Sequence, residues 1–163
     1  MDNKLNFYLH RESKWMEIPW LRPKEFASVE LKRPVVLING AFDLLHRTHM
    51  RLIFAAAHKA GTLICALDGD EKIAKEKGPK RPIMNFIERA STLNYMPIDY
   101  LCPIESEKDF KDLVSIVKPD LRVQGMDYKD HLSKFNVRKM LVRGGSIRTS
   151  EIINRIKGRY NGK

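Results

Sequence analysis

One stretch, residues 35–49, constrains the fold of this chain more than any other. It begins with an apolar, β-branched run at 35–39, breaks at Gly40 and passes through a short loop to two histidines that open a helical pattern. The run is typical of a parallel strand covered on both faces. Loop N–H groups and the positive end of the following helix together form an anion site. The stretch therefore predicts a strand–loop–helix unit that binds phosphate.

The alternation of strand and helix continues along the chain. We predict further strands at 62–67, 99–103, 121–124 and 139–142, and helices at 49–60, 71–76, 85–95, 107–117 and 149–156. Thr48 is expected to cap the first helix and Gly61 to end it, while Asn85 and Glu88 form a capping box on the third. Ile152, Ile153 and Ile156 are expected on one face of the last helix.

Repeated strand–helix units predict a parallel sheet, because crossovers in such units are right-handed and place helices over both faces. We therefore predict one α/β domain with a Rossmann-like parallel sheet over residues 34–160. Residues 1–33 differ from it: aromatic side chains are scattered among charges, and Pro19 and Pro23 interrupt any long helix. We interpret them as an N-terminal extension whose aromatics pack on the domain or on a partner subunit.

The amino-acid composition indicates which classes of binding partner and which cellular compartment to expect. The chain has 163 residues with 30 Lys+Arg against 20 Asp+Glu, a formal net charge of +10. This balance favours anionic partners, either phosphorylated small molecules or nucleic acid, with Trp15 and Trp20 as candidates for stacking on bases. Cys65 and Cys102 lie in apolar surroundings and predict buried thiols in a reducing compartment. No apolar run reaches the ~20 residues of a membrane span, so we expect a cytoplasmic protein without a membrane partner.

Three loops, 40–49, 68–82 and 125–131, follow predicted strand ends and carry glycine with polar or charged residues. Ligands of parallel sheets bind outside these ends. The spacing of His46 and His49 admits a metal pair, two surface histidines, or two imidazoles that donate N–H groups to a phosphate. No third ligand stands at metal spacing, which favours the phosphate interpretation and predicts no protein-held metal.

These residues carry a resemblance to a known family. Residues 40–49, Gly-Ala-Phe-Asp-Leu-Leu-His-Arg-Thr-His, resemble the G-[TC]-F-D-x-x-H-x-G-H motif of the HxGH nucleotidyltransferases. Within that superfamily the chain is most similar to glycerol-3-phosphate cytidylyltransferases and to the nucleotidyltransferase half of heptose-phosphate adenylyltransferases. The resemblance covers 35–157, and further motifs follow in the family's order: Lys77-Gly78 with Arg81-Pro82, Arg89, Gly125-Met126-Asp127-Tyr128-Lys129, and Arg143 with Ile147-Arg148-Thr149-Ser150-Glu151-Ile152.

The resemblance implies transfer of a cytidylyl or adenylyl group from CTP or ATP to a phosphorylated sugar or polyol, with Mg²⁺ bridging the phosphates and pyrophosphate leaving. His46, His49 and Lys77 would be catalytic. The other implied contacts are, for the nucleotide, Gly40, Ala41, Phe42, Asp43, Gly125, Asp127, Arg143, Arg148, Thr149 and Ser150, and, for the acceptor, Lys80, Arg81 and Arg89. A homodimer is implied as well. The basic cluster at 72–81, called the basic loop below, could instead be a solvated charged loop. Arg89 could be a plain surface residue of its helix.

Three residues depart from the family pattern: Thr48 replaces the glycine between the histidines, Ala41 a hydroxyl or thiol residue, and Arg148 a serine. Threonine adds bulk and restricts φ where glycine allows close approach, whereas Arg148 would suit a phosphate clamp. Besides the active transferase, two hypotheses stay open: a non-catalytic relative that binds a nucleotide or a protein, and a nucleic-acid-binding protein.

Overall fold

A computed structural model describes residues 18–126, 137–143 and 147–160. Its centre is one sheet of five parallel strands in the order β3-β2-β1-β4-β5. The strands are β1 Val35–Gly40, β2 Thr62–Asp68, β3 Tyr100–Ile104, β4 Leu121–Gly125 and β5 Lys139–Val142. The helices are α1 Arg47–Ala57, α2 Asp70–Lys77, α3 Phe86–Leu93, α4 Glu107–Val117 and α5 Thr149–Tyr160, preceded by a 3-10 helix at Pro23–Ser28. The predicted Rossmann-like fold is confirmed.

The strand order reverses between β1 and β4. From β1 the chain builds outward through β2 to β3, and it then returns to the other side of β1 for β4 and β5. In open α/β sheets the crevice at such a reversal, outside the carboxyl ends of the strands, is the usual ligand site. The loop after β1, which leads to His46 and His49 at the start of α1, begins at this crevice.

Apolar residues of the strands alternate between two cores, one on each face of the sheet. Val36, Ile38 and Leu63 face one core, which is completed by Ile53 of α1 and by Leu93 of α3. Leu37 and Ile64 face the other, which is covered by the 3-10 helix and α4 through Phe26, Phe110 and Leu113. Burial on both faces explains why the strands read as near-continuous apolar runs.

The described part of the predicted extension, residues 18–33, packs on this sheet. Ile18 is buried in the first core and Phe26 in the second. Trp20 pairs with Leu101 at the edge of β3, and its ring meets Phe86 edge-on at 5.4 Å between centroids. Trp15 lies outside the described residues.

Several local predictions are confirmed and three are wrong. The capping box of Asn85 with Glu88 is present, and Cys65 and Cys102 are buried free thiols. α1 starts earlier than predicted and is capped by His46, not Thr48, because the His46 imidazole accepts the Thr48 N–H. α1 also ends at Ala57, before Gly61. Gly61 is needed instead for close approach, since a Cβ there would collide with the Arg33 carbonyl.

The last helix differs from its prediction in both length and burial. α5 extends to Tyr160, and none of its twelve residues is buried. Ile156, expected on an inner face, is 51% exposed. Its apolar spacing is real, but none of its residues belongs to the two cores described above. Within the described ranges, no helix is long and apolar enough to cross a bilayer.

Candidate active site

The loop after β1 has a backbone that most residues avoid. Gly40 has φ +153°, which favours glycine, but Phe42 and Leu44 also adopt left-handed φ values of 48° and 49°. Such conformations cost on the order of 1–3 kcal/mol each in non-glycine residues, and persist only where surrounding contacts enforce them. Here they turn the Asp43 side chain inward, where it is 1% exposed.

The Asp43 carboxylate organises a second loop. Its Oδ2 accepts from Nε of Arg81 at 3.0 Å and from the Ile83 N–H at 3.0 Å, and Nη2 of the same guanidinium lies 2.8 Å away as an ion pair. Its Oδ1 accepts from the Met84 N–H at 3.0 Å. Three hydrogen bonds and the ion pair therefore satisfy one buried charge, as a buried carboxylate requires. Asp43, expected to contact the nucleotide, thus ties the histidine loop to the basic loop after α2.

Arg89 completes this arrangement from α3. Its side chain is fully buried, so the interpretation as a plain surface residue is wrong. Its Nη1 donates to the Ala41 carbonyl at 2.6 Å, its Nε to the Met84 carbonyl at 3.1 Å, and its Nη2 to Oδ1 of Asp70 at 2.6 Å. One guanidinium thereby joins the histidine loop, the basic loop and the start of α2. The sequence held a signal: Arg89 precedes Ala90 and stands four residues before Leu93, both on the apolar face of α3.

The two histidines are brought together as the motif predicts. Their rings stack with centroids 3.9 Å apart at an interplanar angle of 25°, and Phe42 packs against His49. Nδ1 of His46 accepts the Thr48 N–H at 3.3 Å, so the proton of neutral His46 is assigned to Nε2. Nδ1 of His49 is buried and has no hydrogen-bond partner among the described residues. Orphaned buried polar atoms are rare and mark candidate binding sites.

Both imidazoles are held neutral. Burial first, and then the neighbouring His46 and Lys77, lower the pKa of His49 to about 3 against the opposing effect of the Asp43 carboxylate. Burial also lowers the pKa of His46, while the carboxylate of Glu151 opposes this. Near pH 7 the pair consequently offers neutral N–H donors, and the nearby positive charge comes from lysine.

Lys77 and Lys80 are the exposed cations of the predicted basic loop. Desolvation and the Arg81 guanidinium lower the pKa of Lys77, against the carboxylates of Asp68, Glu76 and Asp43. Arg81 itself is mostly buried in its pair with Asp43. Lys72, in contrast, pairs with Asp68 and Glu76 at 3.0 and 2.7 Å. The loop is thus an organised structure and not a fully solvated segment.

A second helix N-terminus lies beside the first. Thr149, the first residue of α5, donates its hydroxyl to the Asp43 carbonyl at 2.9 Å, and Thr48 of α1 donates to the Ile147 carbonyl at 2.9 Å. Arg148 and Ser150 flank Thr149 and are exposed. Arg143 follows β5 and is exposed, and Gly125 ends β4. Asp127 lies outside the described residues.

One polar cluster was missed by the sequence analysis. At the reversal between β1 and β4, Oδ1 of Asn39 accepts from Nη2 of Arg122 at 2.8 Å, and Gln124 is buried beside them. The Arg122 guanidinium lies over the Phe110 ring at 4.6 Å. Polar residues at alternate positions of an otherwise apolar strand were the available signal. The cluster lies on the α4 face, whereas the histidines begin α1 on the other face.

Taken together, these residues suit a polyanion. Two helix N-termini, two neutral imidazoles and Lys77 meet at the carboxyl edge of the sheet, where backbone N–H groups and positive charge favour phosphate. The described residues contain no group of three side chains suited to hold a metal ion.

Comparison with known proteins shows the family to which the chain belongs. A model of the family described as cytidylyltransferase-like matches residues 37–155, so the chain belongs to the cytidylyltransferase-like family. Among its curated relatives, the bifunctional protein HldE of Trichlorobacter lovleyi is 35% identical over 139 residues, and HldE of Vibrio parahaemolyticus serotype O3:K6 is 36% identical over 134 residues. These alignments cover 78% and 76% of the chain, but the chain spans only 28% of the length of either relative.

Solved structures share the fold. A lipopolysaccharide core biosynthesis protein from Thermoplasma volcanium superposes with a TM-score of 0.57 at 24% identity, over 68% of this chain and 97% of that one. A pantothenate synthetase from Thermus thermophilus superposes with a TM-score of 0.58 at 14% identity, over 76% of this chain and 61% of that one. At these identities the superpositions support the architecture alone.

Proposed function

We propose that the chain is a nucleotidyltransferase that transfers a cytidylyl or adenylyl group from a nucleoside triphosphate to the phosphate of a small sugar or polyol. The observation that carries the proposal is the stacked, neutral pair of His46 and His49, with an orphaned nitrogen, between a helix N-terminus and Lys77. Membership of the cytidylyltransferase-like family and the likeness to HldE support the same reaction class.

The resemblance to the HxGH nucleotidyltransferases implies the following reaction. An oxygen of the acceptor phosphate attacks the α-phosphorus of the nucleotide and forms a new P–O–P bond. The bond from the α-phosphorus to its bridging oxygen breaks, and pyrophosphate leaves with the electron pair. Phosphoryl-type transfer depends on positioning and on stabilisation of the charge around phosphorus. Imidazole N–H groups would donate to the α-phosphoryl oxygens, and Lys77 would neutralise the leaving pyrophosphate.

The remaining residues are proposed either to contact the substrates or to support the two loops of the site. In this proposal Lys80, Arg143, Arg148 and Ser150, which are all exposed, contact phosphates, and Gly40 and Phe42 shape the nucleotide side of the crevice. Arg81, Arg89 and Asp43 support the two loops, because their charged groups are engaged with one another, with Asp70 and with backbone. Mg²⁺ would enter bound to the triphosphate, since it keeps water and phosphate ligands and needs few from protein.

The test is a pyrophosphate-release assay with MgCTP and MgATP against a panel of sugar and polyol phosphates. We expect turnover with one nucleotide and at least one acceptor, and its loss in the double variant His46→Ala, His49→Ala. His58→Ala, an exposed histidine at the other end of the same helix, is the matched control and should retain activity. Nucleotide binding without turnover for any pair would favour the non-catalytic relative.

A further inference from the structure

The N-terminus of α5 is held in place without help from a buried side chain. None of the twelve residues of α5 is buried, so hydrophobic packing does little to fix where the helix begins. Its first turn nevertheless lies beside the loop that leads to His46, since the Thr149 hydroxyl donates to the Asp43 carbonyl at 2.9 Å.

Two hydrogen bonds from threonine hydroxyls join the starts of α1 and α5. Thr48, in the first turn of α1, donates to the carbonyl of Ile147, just before α5. Thr149, in the first turn of α5, donates to the carbonyl of Asp43, just before α1. Both oxygen–oxygen distances are 2.9 Å. We call this reciprocal pair of bonds the threonine clasp.

The clasp forces two positive helix ends together. Each helix N-terminus carries about half a positive charge, and Arg148 adds a full charge between Ile147 and α5. The two positive helix ends repel one another, and the threonine clasp holds them together against this repulsion. A triphosphate would relieve the repulsion, since backbone N–H groups and guanidinium both suit phosphate oxygens.

We infer that Thr48 is a positioning residue for the triphosphate, acting through Ile147 to set Arg148 and the start of α5 against His46. The inference rests on the proposed function for the identity of the anion. It also gives a role to a residue at which the chain departs from the glycine of the motif that it resembles: glycine has no hydroxyl and cannot make the bond to Ile147.

The experiment compares Thr48→Val, which removes the hydroxyl at nearly constant shape, with Thr48→Ser, which keeps it. Thr62→Val is the matched control, because the Thr62 hydroxyl also donates to a backbone carbonyl, that of Lys32 at 2.8 Å, next to Arg33 and away from the histidines. Two quantities are measured on the full chain: amide hydrogen exchange in the first two turns of α5 without nucleotide, and the Kd of MgATP and MgCTP.

We expect Thr48→Val to accelerate exchange in α5 and to raise the nucleotide Kd about five- to tenfold, in keeping with the net worth of one hydrogen bond. Thr48→Ser should stay within twofold of the parent for both measurements, and Thr62→Val should alter neither. Unchanged α5 exchange in Thr48→Val would overturn the clasp itself.

The two proposals fail in different ways. If the parent binds nucleotide and Thr48→Val binds it equally well, the positioning role is wrong and the proposed function stands. If the parent binds no nucleoside triphosphate, the proposed function falls and the role of Thr48 falls with it, whatever the exchange data show about the clasp.

Discussion

Arg81 and Asp43 form an ion pair beneath the candidate site: Nε of the guanidinium donates to Oδ2 of the carboxylate at 3.0 Å, and Nη2 lies 2.8 Å from the same oxygen. Asp43 is 1% exposed and Arg81 is largely covered. The pair joins the loop after β1 to the loop after α2, and it does so across 38 residues of sequence. The position of the histidines relative to Lys77 thus depends on a contact between two protein side chains.

Breaking this ion pair should destabilise the fold at the two loops that it joins. Asp43→Asn removes the charge and leaves the Arg81 guanidinium buried without a counter-ion, which costs about 3–5 kcal/mol in comparable buried pairs. Urea unfolding measures the loss. Lys111→Gln is the control, because its pair with Glu107 is exposed at 3.4 Å and should contribute under 1 kcal/mol. Equal effects of the two substitutions would contradict the structural role of Asp43.

Arg89 should behave as a structural residue in the free protein. Arg89→Lys keeps the charge but cannot reproduce a fork that donates to Ala41, Met84 and Asp70. We expect a loss of about 2–4 kcal/mol in the free energy of unfolding without any nucleotide, because buried acceptors are left unpaired. An unchanged unfolding midpoint, combined with weaker acceptor binding, would instead support the direct contact that the sequence suggests.

The lowered pKa of His49 makes stability depend on pH. The folded pKa is about 3 and the ordinary value is 6.5. Between these values the unfolded chain binds a proton at His49 that the folded chain does not, so stability falls as pH falls below about 6.5 and is unaffected above it. The contribution approaches 1.4 kcal/mol per pH unit.

Comparing the unfolding free energy at pH 7 and pH 5 with that of His49→Gln isolates this term, since other titrating groups largely cancel. The variant should lose less stability on acidification than the parent. Parallel pH profiles would show that His49 is protonated as readily in the folded protein as in the unfolded chain.

Lys77 should matter for turnover and its neighbour on the same helix should not. Lys77→Gln removes the cation that acts on His49, and we expect kcat/KM to drop about 10²–10³-fold, the effect of losing one charge-stabilising group. Lys75→Gln, in the last turn of α2 and exposed, should stay within threefold. Initial rates of pyrophosphate release measure both. A similar loss for the two lysines would indicate that only overall charge counts.

The sequence predicts the fold well because local pattern and global packing agree. The strand at 139–142 and the helix at 107–117 coincide with β5 and α4, since each is bounded by clear polar or proline breaks. The histidine pair follows from its motif. The inward turn of Asp43 does not, because it depends on left-handed φ values at Phe42 and Leu44, which no local preference predicts.

Thr48 is a second residue whose contact cannot be predicted from local sequence. Its sequence neighbours suggest a helix cap, yet its hydroxyl bonds to a carbonyl 99 residues away. A partner at that distance is set by how α5 meets α1, and helix periodicity alone carries no information about it. The three acceptors of the Arg89 guanidinium were not predicted for a related reason, because they come from separate parts of the chain.

Because α5 is exposed, the elements that stabilise the fold and some of the residues proposed to bind phosphate are different parts of the chain. Apolar burial, which drives folding, is concentrated in the strands and in α1, α3 and α4, while Thr149 and Ser150 of the proposed phosphate site belong to a helix with no fully buried residue. Substitutions in α5 should therefore leave the thermal unfolding midpoint nearly unchanged and yet abolish nucleotide binding. Conversely, changes in α5 can accumulate with little penalty to folding, which makes this helix the part of the site most open to evolutionary change.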